Sequence, residues 1–238
     1  MLPQPPPDAK APPPSETALR SRRYRRWIWV TGVVSVVLLP VFFFAWSDYR
    51  RGVSHGRGRI RTEAVNNARQ IGFALFEFEI EYGRFPDATT ITAVQKETGT
   101  LLPLGTKTSN DYFRQLIGAG ITQSEPMFYA RIEGSRKPDG LMDPANTLVK
   151  GNVGFAYLAG LASMGSPSRP LVVTPLIPGT DRFDPKPFDG KAVILKMDNS
   201  VTSIPIQKDG HVLLSGRNIL DPGHPIWDGK PPVIVWPE

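Results

Sequence analysis

A run of 20 residues without a single charge, Trp27 to Trp46 (WIWVTGVVSVVLLPVFFFAW), constrains this chain more than any other feature. At about 1.5 Å rise per residue, a helix of that length crosses a hydrocarbon core of roughly 30 Å. Trp27, Trp29 and Trp46 sit near its two ends, where indole rings favour the membrane interface. Pro40 removes one backbone hydrogen bond, which membrane helices tolerate. The run begins late and no small-x-small cleavage site follows it, so it reads as a single-pass anchor and not as a removed signal peptide. The expected partner of residues 27–46 is the lipid bilayer.

Charge follows the anchor. Residues 1–69 carry 12 Lys and Arg against 4 Asp and Glu, a net +8, while residues 70–238 carry 16 against 18, a net −2. A nucleic-acid-binding domain keeps its positive charge on the folded surface. Here the arginines flank the apolar run, where anionic headgroups and topology account for them. The reading is no nucleic acid. Five arginines precede the span (Arg20, Arg22, Arg23, Arg25, Arg26) and five follow it (Arg50, Arg51, Arg57, Arg59, Arg61). The first cluster is tighter and closer, which places the N-terminus in the cytoplasm and the C-terminal part beyond the inner membrane, in the periplasm or outside the cell.

Four segments result. Residues 1–26 form a Pro-rich, basic tail expected to be disordered. Residues 27–46 are the span, and 47–59, with Gly52, Gly56 and Gly58, read as a linker. Residues 60–238 form an α+β domain that opens on a long helix, about 60–82. In that helix Ile60, Ala64, Ala68, Ile71, Leu75, Phe78 and Tyr82 recur at steps of four and three, the stripe of an amphipathic helix. Gly83 ends it and Pro86 follows. Phe73, Phe76 and Ile80 fall on the opposite face, which needs a loop or a partner to cover it and makes them candidates for interface contact.

Beyond Phe85 the signals are short. Thr89–Thr98 and Ser109–Ala119 read as helices, the second capped by Ser109, Asn110 and Asp111. Strands are expected at Met127–Ile132, Val153–Leu158, Leu171–Thr174, Lys191–Met197, Val201–Ile206, His211–Leu214 and Val233–Val235. Asp198-Asn199-Ser200 between two apolar runs predicts a hairpin, and Pro205 a strand end or sheet edge. Strands gathered behind one long helix predict a small antiparallel sheet with the helix packed on it.

The run Asn66 to Asp87 (NNARQIGFALFEFEIEYGRFPD), with its Tyr82-Gly83-Arg84-Phe85-Pro86 turn, resembles the end of the N-terminal helix in type IV pilin-like and type II secretion pseudopilin-like proteins. The late stretch Gly190 to Ile206 is similar to the terminal hairpin of such proteins. The resemblance implies a membrane helix leading into an amphipathic helix on an antiparallel sheet, and a structural role in a secretion or surface assembly for protein transport. It also implies contacts with other envelope or secretion-assembly proteins, homo-oligomers included. One departure is plain: SRRYRR precedes Trp27, where the family carries a Gly-Phe peptidase site and a glutamate.

Little in the sequence points to catalysis. There is no cysteine, no G-x-S-x-G, no H-E-x-x-H and no Walker loop. The three histidines are His55, His211 and His224. The expectation is a non-enzyme without cofactor. Two alternatives stay open: a membrane-anchored envelope enzyme built around His211 or His224, and a ligand-binding module. The loop carrying Asp181, Asp184 and Asp189 supplies oxygen ligands for a candidate Ca²⁺ site, the one metal in prospect. Trp227, in DPGHPIWDG, is expected to be buried.

Overall fold

A computed structural model describes residues 56–238 together with Phe42 and Trp46. The chain divides into two units, Met1–Val53 and Ser54–Glu238. In the first, Phe42 and Trp46 are helical and one turn apart, with ring centroids 6.2 Å apart. The expected tail, Trp27, Trp29 and the rest of the span lie outside the described residues. Among those described, no helix is long and apolar enough to cross a membrane.

The second unit is α+β. Helix α1 covers residues 56–82, about 40 Å at the α-helical rise. The expected linker is therefore shorter at its C-terminal end, because Gly56 and Gly58 are helical. Glycine costs a helix roughly 1 kcal/mol per position, which the packed turns that follow offset. Helices α2 (Ile91–Thr98) and α3 (Ser109–Gly118) come next. Thr108, and not Ser109, caps α3: its side chain accepts from the Asp111 amide, and Asp111 returns the bond in a capping box. Ser109 Oγ donates instead to the Phe155 carbonyl.

Strands β1 (Ala156–Ala159), β2 (Pro170–Thr174), β3 (Lys191–Lys196), β4 (Val201–Pro205) and β7 (Val233–Val235) make a five-stranded antiparallel sheet in the order β4-β3-β2-β1-β7. A separate ribbon pairs β5 (Leu213–Leu214) with β6 (Arg217–Asn218). The hairpin at Asp198-Asn199-Ser200 joins β3 to β4, with Asn199 at φ 61°, and β4 ends at Pro205 on the sheet edge. The strand expected at Met127–Ile132 is absent. Glu125–Phe128 forms a 3-10 turn instead, since a short apolar run has no period of its own to distinguish strand from turn.

Both faces of the sheet are covered. Ala64, Ala68, Ile71, Leu75 and Phe78 of α1 and Phe113 and Leu116 of α3 pack on one face, against Tyr157, Val172, Val193 and Leu195. Ala156, Leu158, Val173, Ala192 and Ile194 point to the other, where Leu176, Phe183, Val212, Ile219 and Trp227 cover them. A register shift between Pro170 and Val172 explains why Leu171 and Val172 both join the helix side. Trp227 is buried, as expected, and donates to the Ile219 carbonyl.

Candidate functional site

The outer face of α1 is the most exposed apolar feature of the second unit's long helix. Steps of three and four place Arg59, Glu63, Asn66, Gln70, Phe73, Glu77 and Ile80 along one exposed stripe. Within it Phe73 is 59% exposed and Ile80 87%. Phe76 does not belong to the free face. It is half-buried and meets Phe85 edge-on, with centroids 5.2 Å apart. In the loop after β1 the Ser163 amide donates to Glu79 Oε1 at 2.8 Å, and the next residue, Met164, is 86% exposed.

Charge along α1 is polarised. Arg57, Arg59, Arg61 and Arg69 accompany one glutamate, Glu63, in its first part, and Glu77, Glu79 and Glu81 crowd its last turns. The helix end is fixed with unusual thoroughness. Gly83 takes φ 76° and bonds back to the Glu79 carbonyl, which allows the chain to reverse without a Cβ clash. Phe85 is buried. The Pro86 carbonyl accepts from the Tyr157 hydroxyl at 3.0 Å, and the Asp87 carbonyl from Gln115 Nε2. Burial works against the Asp87 carboxylate, but bonds from Thr89, Arg84 and Thr90 hold it below its ordinary range. Tyr82 stacks on Phe78 at 4.4 Å. Burial first, then the carboxylates of Glu81 and Glu97, push its hydroxyl up to about 12. The Tyr-Gly-x-Phe-Pro-Asp segment thus ties the acidic end of α1 to α3 and β1.

The aspartates of the calcium reading are not brought together. Asp181 Oδ2 accepts from Asn218 Nδ2, Asp184 Oδ1 takes the Lys186 amide, and Asp189 occupies a turn at φ 58°. Among the described residues, no three His, Cys, Asp or Glu side chains group as metal ligands. Asp181 is turned toward Asn218 and His211, and Asp184 to its own loop, which the sequence spacing alone did not reveal.

The histidines have different surroundings. His224 is buried; its Nε2 lies 3.0 Å from the Leu214 carbonyl and its Nδ1 accepts from the Ile226 amide. That arrangement uses both ring nitrogens as backbone anchors. His211 lies between two carboxylates, Nδ1 3.0 Å from Asp209 Oδ2 and Nε2 3.5 Å from Asp181 Oδ2.

A cleft of about 370 Å³ opens between the 132–135 and 175–178 loops, lined by Ile132, Val153, Leu176 and Ile177, with Lys150 and Asp184 among its polar members. Neither histidine lines it. Sequence reasoning missed this cleft because its walls are single apolar residues from distant loops.

Sequence reasoning also missed a buried polar hub at Leu148. Glu125, fully buried, accepts from the Leu148 and Gly140 amides at 2.7 and 3.1 Å. Asn110 and Arg114 donate to the Leu148 carbonyl. No strand or helix sets the 130–152 stretch, so these side chains take the place of a ladder. A buried Arg169 does the same on the other side of the sheet, reaching the Ile226 carbonyl and Asp228 Oδ2 and lying over Trp227.

No protein-family model, curated protein or solved structure matches this chain.

Proposed function

We propose that the chain is a membrane-anchored, pilin-like structural component of a type II secretion or surface assembly, acting through protein contacts and not through catalysis. The observation that carries this reading is the outer face of α1, where Phe73 and Ile80 are exposed on a helix whose other side is core. An exposed apolar pair on an otherwise polar stripe has the makings of a contact surface. The polarised charge of α1 supports a second copy as one partner, because the basic part of one helix complements the acidic end of another. The fixed turn at residues 82–87 supports the same reading, since a rigid mount lowers the ordering cost of association. The apolar run Trp27–Trp46 supplies the anchor in the inner membrane, with the N-terminus cytoplasmic and the α+β unit beyond the bilayer.

The chain has no native cysteine, so Ile80→Cys gives a clean cross-linking probe. In membranes, Ile80→Cys is expected to yield cross-linked species that vanish when Phe73→Glu is added. A probe that stays monomeric at native expression, in a folded protein, removes the reading.

A second reading rests on the cleft. Its volume is within the range of small-ligand sites, and it supports a membrane-anchored ligand-binding module. Ligand-dependent gain in thermal stability, lost in Ile177→Glu, distinguishes this from the structural reading.

A further inference from the structure

We propose that His211 is a proton-operated latch that fastens the 177–184 loop to the 207–211 turn. The argument begins with the backbone. Gln207 to His211 closes a tight turn: the Gln207 amide donates to the His211 carbonyl, the Gly210 amide to the Gln207 carbonyl, and Gly210 takes φ 87°. The neighbouring loop folds on itself through the Ile177 amide to the Arg182 carbonyl. One backbone bond, Phe183 amide to Gly210 carbonyl at 2.8 Å, joins the two. The imidazole adds the second fastening, because it sits between Asp209 of the turn and Asp181 of the loop.

The ring's position decides its protonation chemistry. A carboxylate only accepts, and a neutral imidazole has one donor and one acceptor nitrogen. With a carboxylate at each nitrogen, the neutral ring satisfies one and turns a lone pair toward the other. The doubly protonated ring donates to Asp209 and presents its second N–H to Asp181 as an ion pair at 3.5 Å. Protonation of the second ring nitrogen therefore closes the latch, and loss of that proton opens it.

The other groups around the ring leave this sign intact. The turn contributes Lys208 and Asp209, the loop Asp181 and Arg182, and the ribbon Arg217 and Asn218. Arg182 lays its alkyl stem against Gly210. The Arg217 guanidinium is engaged with the Gly223 carbonyl, and Asn218 donates to Asp181 without titrating. Hydrogen bonds from the His211 amide and ring, in that order, hold the Asp209 carboxyl below its ordinary range and keep it an acceptor for the ring. The consequence reaches the cleft, since Ile177 and Asp184 of the latched loop form part of its wall. The latch requires nothing of the outer face of α1.

Hydrogen exchange at residues 177–183, referenced at each pH to the amides of β3, tests the latch in the full-length protein. Going from pH 8 to pH 5.5, the referenced protection is expected to rise roughly two- to fivefold, the span of a partly exposed ion pair. His211→Gln is expected to remove that pH dependence while leaving β3 unchanged. PH-independent protection in the wild type, or an unchanged profile in His211→Gln, overturns the latch. Should His211→Gln fail to fold, the ring nitrogens of the wild-type protein decide the matter by NMR: two N–H signals at pH 5.5 support the latch, and a neutral ring at that pH overturns it.

Discussion

Gly72 of α1 lies directly beneath Asn199, the positive-φ residue of the β3–β4 turn. A Cβ at position 72 would overlap Asn199 Oδ1 and approach Leu195 Cδ1 to 3.0 Å. Glycine in the middle of a helix is a cost of roughly 1 kcal/mol against alanine, and here it permits the helix to close on the hairpin. Gly72→Ala is therefore expected to destabilise the unit by about 1–3 kcal/mol, against the gain that helix propensity alone would give. Urea unfolding of the two proteins checks the sign. A more stable alanine variant would show that the hairpin yields freely.

Phe76 and Phe73 are separated by less than one turn but belong to different environments. Phe76→Glu drives a charge against the Phe85 ring and is expected to cost about 2–4 kcal/mol. Phe73→Glu sits on the exposed stripe and is expected to stay within about 0.5 kcal/mol of the wild type. Thermal unfolding of both variants distinguishes core from contact face.

Glu125→Ala is expected to be among the most damaging polar substitutions. It strands the buried Leu148 amide, at a cost of about 1–3 kcal/mol when unsatisfied, and releases the Gly140 amide at an exposed position. Limited proteolysis should then cut within 139–150 before any other described loop. Uniform resistance of that stretch would mean that Asn110 and Arg114 suffice.

Alkaline pH should weaken the fold. Burial raises Tyr112 and Tyr157, Tyr157 well above its ordinary value, and Tyr82 reaches about 12. An unfolded tyrosine ionises near 10, so between about pH 10 and 12 the unfolded chain releases protons that the folded one keeps. Stability is then fully present below about pH 10 and falls as pH rises through that window. Denaturant titrations at pH 8 and pH 11.5 are expected to differ, and Tyr157→Phe to reduce the difference.

On the acid side Asp87 behaves in the opposite way. Its lowered carboxyl contributes stability above the ordinary carboxylate range that is lost as pH falls through its folded value. Asp87→Asn is expected to flatten the acid limb of a stability profile and to soften the alkaline limb slightly, because after burial the Asp87 charge is the next cause that raises Tyr112 and Tyr157.

The legible parts of this protein are those where a local period repeats. Ile71, Leu75 and Phe78 announced the buried side of α1 because four turns carry the same spacing, and Asp198-Asn199-Ser200 announced its hairpin because a reversal needs residues that tolerate positive φ. For Phe76 the same period left a loop and a partner both open. Angle alone put it opposite the stripe, but Phe85, returning through the Gly83 turn, covers that part of the helix. Met127–Ile132 read as a strand because apolar residues cluster there, whereas a buried carboxylate at Glu125 and its bonds to Leu148 and Gly140 set the local conformation.

The sequence by itself determined the charge asymmetry, the uncharged run Trp27–Trp46, the amphipathic helix and the α+β character of the second unit, since each is a property of neighbours along the chain. Only the tertiary structure decided that the three loop aspartates stay apart, that His224 is an anchor while His211 bridges two carboxylates, and that Gly72 is where helix and hairpin meet. Those relations join residues separated by many positions. They are set by how both faces of one sheet are covered, which no local pattern encodes.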